Sequence, residues 1–194
     1  MSIKIHEGNV ELLEEYSQVS ISYEVQYVFR VEPIDQGLGG IRLAEEKLPQ
    51  SYLKDYDEHG EGDPRSWPEK FDIRNWGILV ARVDGQTVGG AAVAFNTNGV
   101  NMLEGRRDLA VLWDIRVNPA WRGKGVGKAL LQHSAGWARQ CGCRQLKIET
   151  QNVNVPACHF YASQGCELGV IHRYGYAGHP TVGHEVMLIW YLPL

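Results

Sequence analysis

Apolar positions along the chain recur in two rhythms, and the switch between them marks its organisation. "SIKI" near the start reads as a short strand, and "NVELLEEYSQ" as a helix with Asn9 at its cap and Glu11 well placed near its amino end. From about Glu32 to Asn75 no rhythm persists. Pro33, Pro49, Pro64 and Pro68 interrupt it, "GLGG" adds glycines, and only brief helical patterns surround "RLAEEKL" and "SYLKDY". So long an irregular stretch in a compact domain is usually functional or mobile, and residues 32–75 are read as a substrate-binding lip. "GILVARV" and "TVGGAAVAF" follow as β-rich apolar runs joined by Asp84-Gly85, a strong signal for a tight hairpin. Gly89-Gly90 inside the second run predicts a bulge or a close backbone approach.

The rhythm then changes. "LAVLWDIRV" is nearly continuous in apolar residues, the pattern of a central strand, and Asn118-Pro119 ends it. Beyond a glycine-rich loop, Val126, Leu130, Ser134, Trp137 and Cys141 fall at helical spacing, closed by Gly142. "RQLKIETQ" is another strand. "NVPACHFYASQG" is a short helix with Asn154 as cap, Pro156 in its first turn and Gly165 at its end. "ELGVIHRYGY" and "EVMLIWYL" read as two final strands. Antiparallel strands followed by strand, loop, helix and strand make the fold mixed α/β, and 194 residues suit a single domain spanning 1–194.

Composition narrows the class. With 44% hydrophobic and 22% charged residues the chain is ordinary for a globular protein. Its start lacks the apolar stretch of a signal peptide, and no apolar run approaches the roughly eighteen residues of a membrane span, so a cytoplasmic location is expected, with no membrane partner. The four cysteines are then expected to be reduced thiols. Net charge is −4 but unevenly placed. Glu104 to Lys147 holds nine Arg or Lys against three acids, whereas Glu45 to Glu69 holds eight acids against three bases. Two solvated faces would account for this; so would an anion site and a separate cation site. An acidic chain with six Trp and no long basic stripe is a poor candidate for binding nucleic acid.

The candidate anion site is "WRGKGVGK", residues 121–128, placed where a buried strand gives way to a helix. Peptide N–H groups there have no helical partner, glycines let a ligand approach the backbone, and Arg122, Lys124 and Lys128 add positive charge. A P-loop needs four residues between its first Gly and Gly-Lys-Ser/Thr; Gly123 to Lys128 has too few and is followed by Ala129. A dinucleotide fingerprint needs Gly-x-Gly-x-x-Gly, and Gly123-x-Gly125-x-Gly127 is one residue short, although Glu149, some twenty residues on, keeps that reading open. A purely structural loop is the third possibility.

Arg122-Gly123-Lys124-Gly125-Val126-Gly127 also fits Arg/Gln-x-x-Gly-x-Gly/Ala, the pattern of the GNAT superfamily of N-acetyltransferases. A second block, Asn154-x-x-Ala157-x-x-Phe160-Tyr161-x-x-x-Gly165, follows at that family's spacing. The chain resembles this superfamily over roughly residues 75 to 192. Within it, "SYLKDYDEHGEGD", "KIETQNVNVPACHFY" and "VMLIWYL" are most similar to the streptothricin acetyltransferases.

The resemblance implies a GNAT-like, mostly antiparallel sheet with a central splayed strand pair and flanking helices. It implies acetyl-CoA as cofactor. The amides of Gly123, Lys124, Gly125, Val126, Gly127 and Lys128 would hold the pyrophosphate with Arg122 at the head. Val117 would hydrogen-bond the pantetheine arm, the amide of Ile115 would face the acetyl carbonyl, Asn154 would cap the next helix near the cofactor, and Tyr161 would lie beside the thioester sulfur.

The reaction has two requirements that these parts address. Acetyl transfer to an amine passes through an oxyanion, which a fixed backbone donor stabilises. The amine must also be neutral, yet for a lysine-like group only roughly one molecule in a few thousand is neutral at pH 7. A carboxylate normally takes the proton, and a phenol at the departing sulfur returns one, the part that Tyr161 fits. Related enzymes carry Glu-Asp on the central strand; this chain has Trp113-Asp114, so Asp114 and Glu149 are both candidates for the base. Either could instead pair structurally with Arg116 or Arg144. Trp113 reads as packing rather than as a wall for a cation. Cys141-Gly142-Cys143 lacks redox or zinc spacing, Cys158 and His159 point apart on a helix, and no metal site stands out. His172, His179, His184, Tyr174 and Tyr176 carry no assignment.

The reading is an acetyl-CoA-dependent N-acetyltransferase, monomer or homodimer, whose substrate is a small cationic amine of streptothricin type drawn by the acidic segment. A protein or peptide acetyltransferase, a non-catalytic coenzyme A binding module and a nicotinamide oxidoreductase are the alternatives.

Overall fold

A computed structural model of the chain describes residues 2–58 and 62–194. In chain order the elements are β1 (Lys4–Gly8), α1 (Leu13–Ser17), β2 (Tyr23–Pro33), β3 (Ile41–Lys54), α2 (Trp67–Lys70), β4 (Gly77–Val83), β5 (Gln86–Ala94), β6 (Leu109–Val117), α3 (Val126–Gln140), β7 (Gln145–Gln151), α4 (Val155–Ser163), β8 (Glu167–His172) and β9 (Met187–Pro193). The fold is mixed α/β, and the ladders β1·β4, β4·β5, β5·β6 and β8·β9 are antiparallel. No helix among the described residues is long and apolar enough to cross a membrane.

The chain divides into two compact units. One comprises Met1–Tyr23, Asp55–Lys147 and Leu192–Leu194, the other Glu24–Lys54 and Ile148–Tyr191.

In the first unit the strands run β1-β4-β5-β6, and the Asp84-Gly85 turn that joins β4 to β5 takes positive φ at both residues, as a tight hairpin requires. The glycines of β5 are explained by what lies over each face. A Cβ on Gly89 would stand 3.0 Å from Val126 and 3.1 Å from Leu130 of α3, while one on Gly90 would overlap the Tyr16 ring of α1. The close approach expected of this pair holds, and the bulge falls one residue earlier: the β4·β5 register slips between Ala81↔Gly89 and Arg82↔Thr87, leaving Val88 as the extra residue. Helix α3 buries Val126, Leu130, Leu131, Ser134, Ala135 and Ala138. The opposite face carries Leu13, Tyr16, Trp67, Trp76, Ile78, Val80 and Val111, with Trp113 and Phe71 packed against them. Trp113 meets Phe71 edge-on at 5.1 Å and Trp76 at 5.4 Å, so it packs in the core.

In the second unit β7-β9-β8 are neighbours and β2-β3 form a separate ribbon. Here the structure corrects the sequence reading: residues 41–54, read as irregular with helical fragments, are a fourteen-residue strand. Its side chains are exposed or half-buried throughout, so it shows no alternation; ladder hydrogen bonds to β2 hold it instead of a buried face. The amino-terminal helix is also shorter than expected. Residues 10–12 form a 3₁₀ turn before α1, and Asn9 makes no side-chain cap; its N–H instead donates to the Glu11 carboxylate at 3.0 Å. Strand β8 stops at His172, short of Tyr176.

Candidate active site

The glycine loop begins where β6 ends. Asn118 accepts a hydrogen bond from Ala120 N–H at 3.0 Å, starting a short turn that carries the chain into Arg122. Gly123 and Gly125 then adopt φ of +74° and +87°, a backbone that residues with a side chain rarely take. The first turn of α3 closes with Ala129 N–H to Gly125 O at 3.0 Å, which leaves the amides of Val126, Gly127 and Lys128 ahead of the first helical bond. A Cβ on Gly123 would meet nothing within 4 Å, and one on Gly125 only Ile3 at 3.9 Å, so the space over these amides is open. Lys124 and Lys128 are exposed. This cradle suits a pyrophosphate: amides ahead of the first helical bond, a helix amino end and positive charge with room for an anion, with the Lys124 N–H as the exception, since it donates to Trp121 O at 3.4 Å.

Strand β6 supplies a second feature. Asn118 N–H donates to Val88 O at 2.9 Å, which fixes the alternation along β6. Ile115 and Val117 therefore direct their peptide groups to the edge away from β5, and Val117 O there accepts a hydrogen bond from Arg122 Nε at 3.1 Å. Arg122 Nη2 donates to Ser22 O at 2.6 Å, so this arginine braces the loop against the end of the strand as well as adding charge.

Between Ala92↔Asp114 and Val93↔Leu112 the β5·β6 register slips, leaving Trp113 as the extra residue of a bulge. Simple alternation would send Trp113 and Asp114 to opposite faces. Instead Trp113 packs into the cluster that contains Tyr16, while Asp114 accepts a hydrogen bond from the Tyr16 hydroxyl at 2.5 Å. Asp114 also receives Arg116 Nε at 3.0 Å and Nη2 at 2.7 Å. Arg116 is fully buried, and its remaining donors reach Asp57 at 2.7 and 3.3 Å, Val19 O at 3.2 Å and Gly62 O at 3.3 Å. Burial works against the guanidinium charge, but the Asp114 carboxylate outweighs it and holds Arg116 charged. Burial pushes the Tyr16 phenol well above its usual 10, and the Asp114 charge adds to that. Asp114 thus has the structural partner that the sequence offered as its alternative. Tyr16 and Asp57 complete this network from 98 and 57 positions away in the chain, and no local pattern announces them.

In the second unit Glu149 lies half-buried on β7, its Oε1 accepting a hydrogen bond from the Tyr176 hydroxyl at 2.5 Å. Gln151 Nε2 donates to the same hydroxyl at 2.8 Å. Asn154 caps α4 as expected, its Oδ1 accepting from Ala157 N–H at 3.2 Å. Tyr161, two turns on, is buried with its ring 5.4 Å from Phe160 and 6.3 Å from Trp190. Cys158 is buried and its thiol is pushed up to about 12, while the neighbouring His159 ring reaches out to Glu45 at 2.8 Å, so the two do not form a nucleophile pair.

Of the acidic segment, much is already paired. Glu45 meets His159, Glu46 meets Arg30, Asp57 meets Arg116 and Asp63 meets Arg65. Glu61, counted with that segment, lies outside the described residues.

A family model for the acetyltransferase (GNAT) family matches residues 45–166. The chain belongs to the GNAT family. It is an acetyl-CoA-dependent N-acetyltransferase. Among its relatives is streptothricin acetyltransferase A of Bacillus subtilis (strain 168), 30% identical over 147 residues that cover 76% of each chain. Nourseothricin acetyltransferase superposes with a TM-score of 0.77 at 25% identity over 100% of this chain and 99% of that one. A Bacillus anthracis str. Ames protein in complex with acetyl coenzyme A gives 0.77 at 27% identity over 100% of both. Within GNAT, the chain is most similar to the streptothricin acetyltransferase group.

Proposed function

We propose that this N-acetyltransferase is a cytoplasmic enzyme that acetylates a primary amine of a small polycationic molecule of streptothricin type, with Glu149 as general base and Tyr161 as the acid at the departing sulfur. The loop from Gly123 to Lys128, braced by Arg122, holds the pyrophosphate; the outward peptide groups of Ile115 and Val117 hold the arm, and Asn154 sets the start of α4. The observation that carries the cofactor assignment is the pair of left-handed glycines opening α3 under open space. Acetyl-CoA supplies an activated acyl group; the chain's own residues orient it and manage protons.

The base assignment rests on how the two candidate carboxylates are engaged. Asp114 receives three donors, two of them from a buried guanidinium, and has little capacity left to accept a proton from a substrate. Among the described residues Glu149 receives a single neutral donor, and it is half-buried. Asp114 is therefore committed to its network with Arg116 and Tyr16, and Glu149 takes the proton. Residues 32–75 remain the proposed substrate lip, with Asp55 and Glu58 carrying the attraction that Asp57 spends on Arg116. The similarity to streptothricin acetyltransferases over most of the chain supports the acceptor class.

Comparing Glu149→Gln with Asp114→Asn tests the assignment. Glu149→Gln is expected to lower kcat about 10²–10⁴-fold with KM for acetyl-CoA unchanged. Asp114→Asn is expected to cost stability first. The reverse ranking, with Asp114→Asn folded and inactive and Glu149→Gln near wild type, would overturn it.

A further inference from the structure

We propose that Tyr176, which carried no assignment from the sequence, is a positioning residue for Glu149: its phenol holds Oε1 and leaves Oε2 to receive the substrate proton. This rests on the assignment of Glu149 as base.

The hydrogen-bond direction is what makes the arrangement specific. Glu149 and Gln151 are two residues apart on β7 and so share a face, and both reach the same phenol. Gln151 Nε2 can only donate, so the Tyr176 oxygen accepts from it at 2.8 Å, and the single phenolic hydrogen is left for Glu149 Oε1 at 2.5 Å. Among the described residues no hydrogen bond or ion pair involves Glu149 Oε2.

Tyr176 itself is held. It lies in the connection between β8 and β9, where His179 N–H donates to Tyr176 O at 2.8 Å and Gly183 N–H to His179 O at 3.0 Å. The far end of that connection is pinned beside β7, with Val186 N–H donating to Asn152 Oδ1 at 2.8 Å and Asn152 N–H to Val186 O at 3.0 Å. A phenol fixed in this way restricts the carboxylate to one orientation and leaves Oε2 for the substrate proton. The step balances simply: the ammonium of the acceptor loses one proton to Glu149 Oε2, yielding a neutral amine and a carboxylic acid, and the phenol keeps its own hydrogen throughout.

Separate kcat and KM values for Tyr176→Phe test this, measured beside wild type, Glu149→Gln and the double variant. Loss of the donor frees the carboxylate to turn, so kcat is expected to fall about tenfold with KM for acetyl-CoA unchanged. In the Glu149→Gln background the second substitution is expected to add nothing. If Tyr176→Phe folds poorly, Gln151→Leu withdraws the group that directs the phenol and should lower kcat in the same way by less. A wild-type kcat in Tyr176→Phe, or a loss that multiplies fully with Glu149→Gln, overturns the positioning role while leaving the base intact. A Glu149→Gln enzyme with the wild-type kcat would refute the base itself, and the inference with it.

Discussion

Replacing Arg116 by Met is expected to destabilise the protein more than any other single change in the first unit, and the structure sets the scale. The guanidinium is wholly buried and bonds to two carboxylates, Asp114 at 8% and Asp57 at 28% side-chain exposure. Methionine fills much of the volume but leaves Asp114 buried with the Tyr16 hydroxyl as its remaining side-chain donor. Breaking one partner out of such a pair costs roughly 3–5 kcal/mol. At about 2–4 °C per kcal/mol for a chain of this size, Tm should fall by roughly 6–20 °C. Denaturant titration of Arg116→Met, Asp57→Asn and the double variant measures this, and the double variant should be less destabilised than the sum of the singles by roughly 0.5–3 kcal/mol, since they share a bond. The deficit should also depend on pH. Burial raises the Asp57 carboxyl above its usual 3.8 even with Arg116 beside it. An acid whose folded pKa is raised binds more protons folded than unfolded, so its contribution to stability falls as pH rises through the carboxylate range. Without Arg116 the upward shift grows, and the deficit should be larger at pH 7.5 than at pH 4.5. A loss below about 1 kcal/mol, or strict additivity with Asp57→Asn, would refute the network's importance.

Other expectations follow from the same contacts. Gly125→Ala should cost about 1–2 kcal/mol because its backbone is left-handed, and should raise KM for acetyl-CoA, whereas Gly136→Ala, inside α3 with open space, should stabilise by roughly 0.5–1 kcal/mol; thermal melts and cofactor titrations separate the two. Lys54→Met should destabilise by roughly 3–5 kcal/mol, because Glu185 is 3% exposed, its Oε1 is paired with Lys54 and its Oε2 has no donor among the described residues, and a denaturation curve restored in part by adding Glu185→Gln would show that the orphaned charge is responsible. Iodoacetamide at pH 8 should label Cys141 well before Cys158, whose thiol is pushed up to about 12, and mass mapping that shows Cys158 modified first would contradict its burial. Neutralising Asp55 and Glu58 together should raise KM for a cationic acceptor, more at low salt than at high, and a salt-independent KM would remove them from substrate attraction.

The parts that the sequence made legible are those governed by local pattern. The run from Leu109 to Val117 had to be a strand, and glycines followed by apolar residues at helical spacing had to open a helix; β6 matches residue for residue, and α3 starts at Val126 as read and ends at Gln140, one residue short of Cys141. Asn154 declared its cap in the same way. What escaped was set by partners far away. Strand β3 has no buried face, so nothing in its hydrophobic pattern distinguishes it from a loop. The bulge at Trp113 reverses the alternation from which the direction of Asp114 would be judged, and it exists only because of pairing with β5. Asp57 looked like one more acid in an acidic run until Arg116, 59 positions on, was seen to hold it. Tyr176 lay within a segment read as strand; the chain leaves β8 at His172, and this places the phenol in the connection to β9.

Coenzyme A thiol released from acetyl-CoA, followed with streptothricin, aminoglycosides, polyamines and lysine peptides as acceptors, tests the central claim most directly. The account predicts release with streptothricin above the other amines, at rates reduced in both Glu149→Gln and Tyr161→Phe. Release with lysine peptides but with none of the small amines would contradict the proposed acceptor, and cofactor binding without release across the whole panel would contradict the assignment of the site.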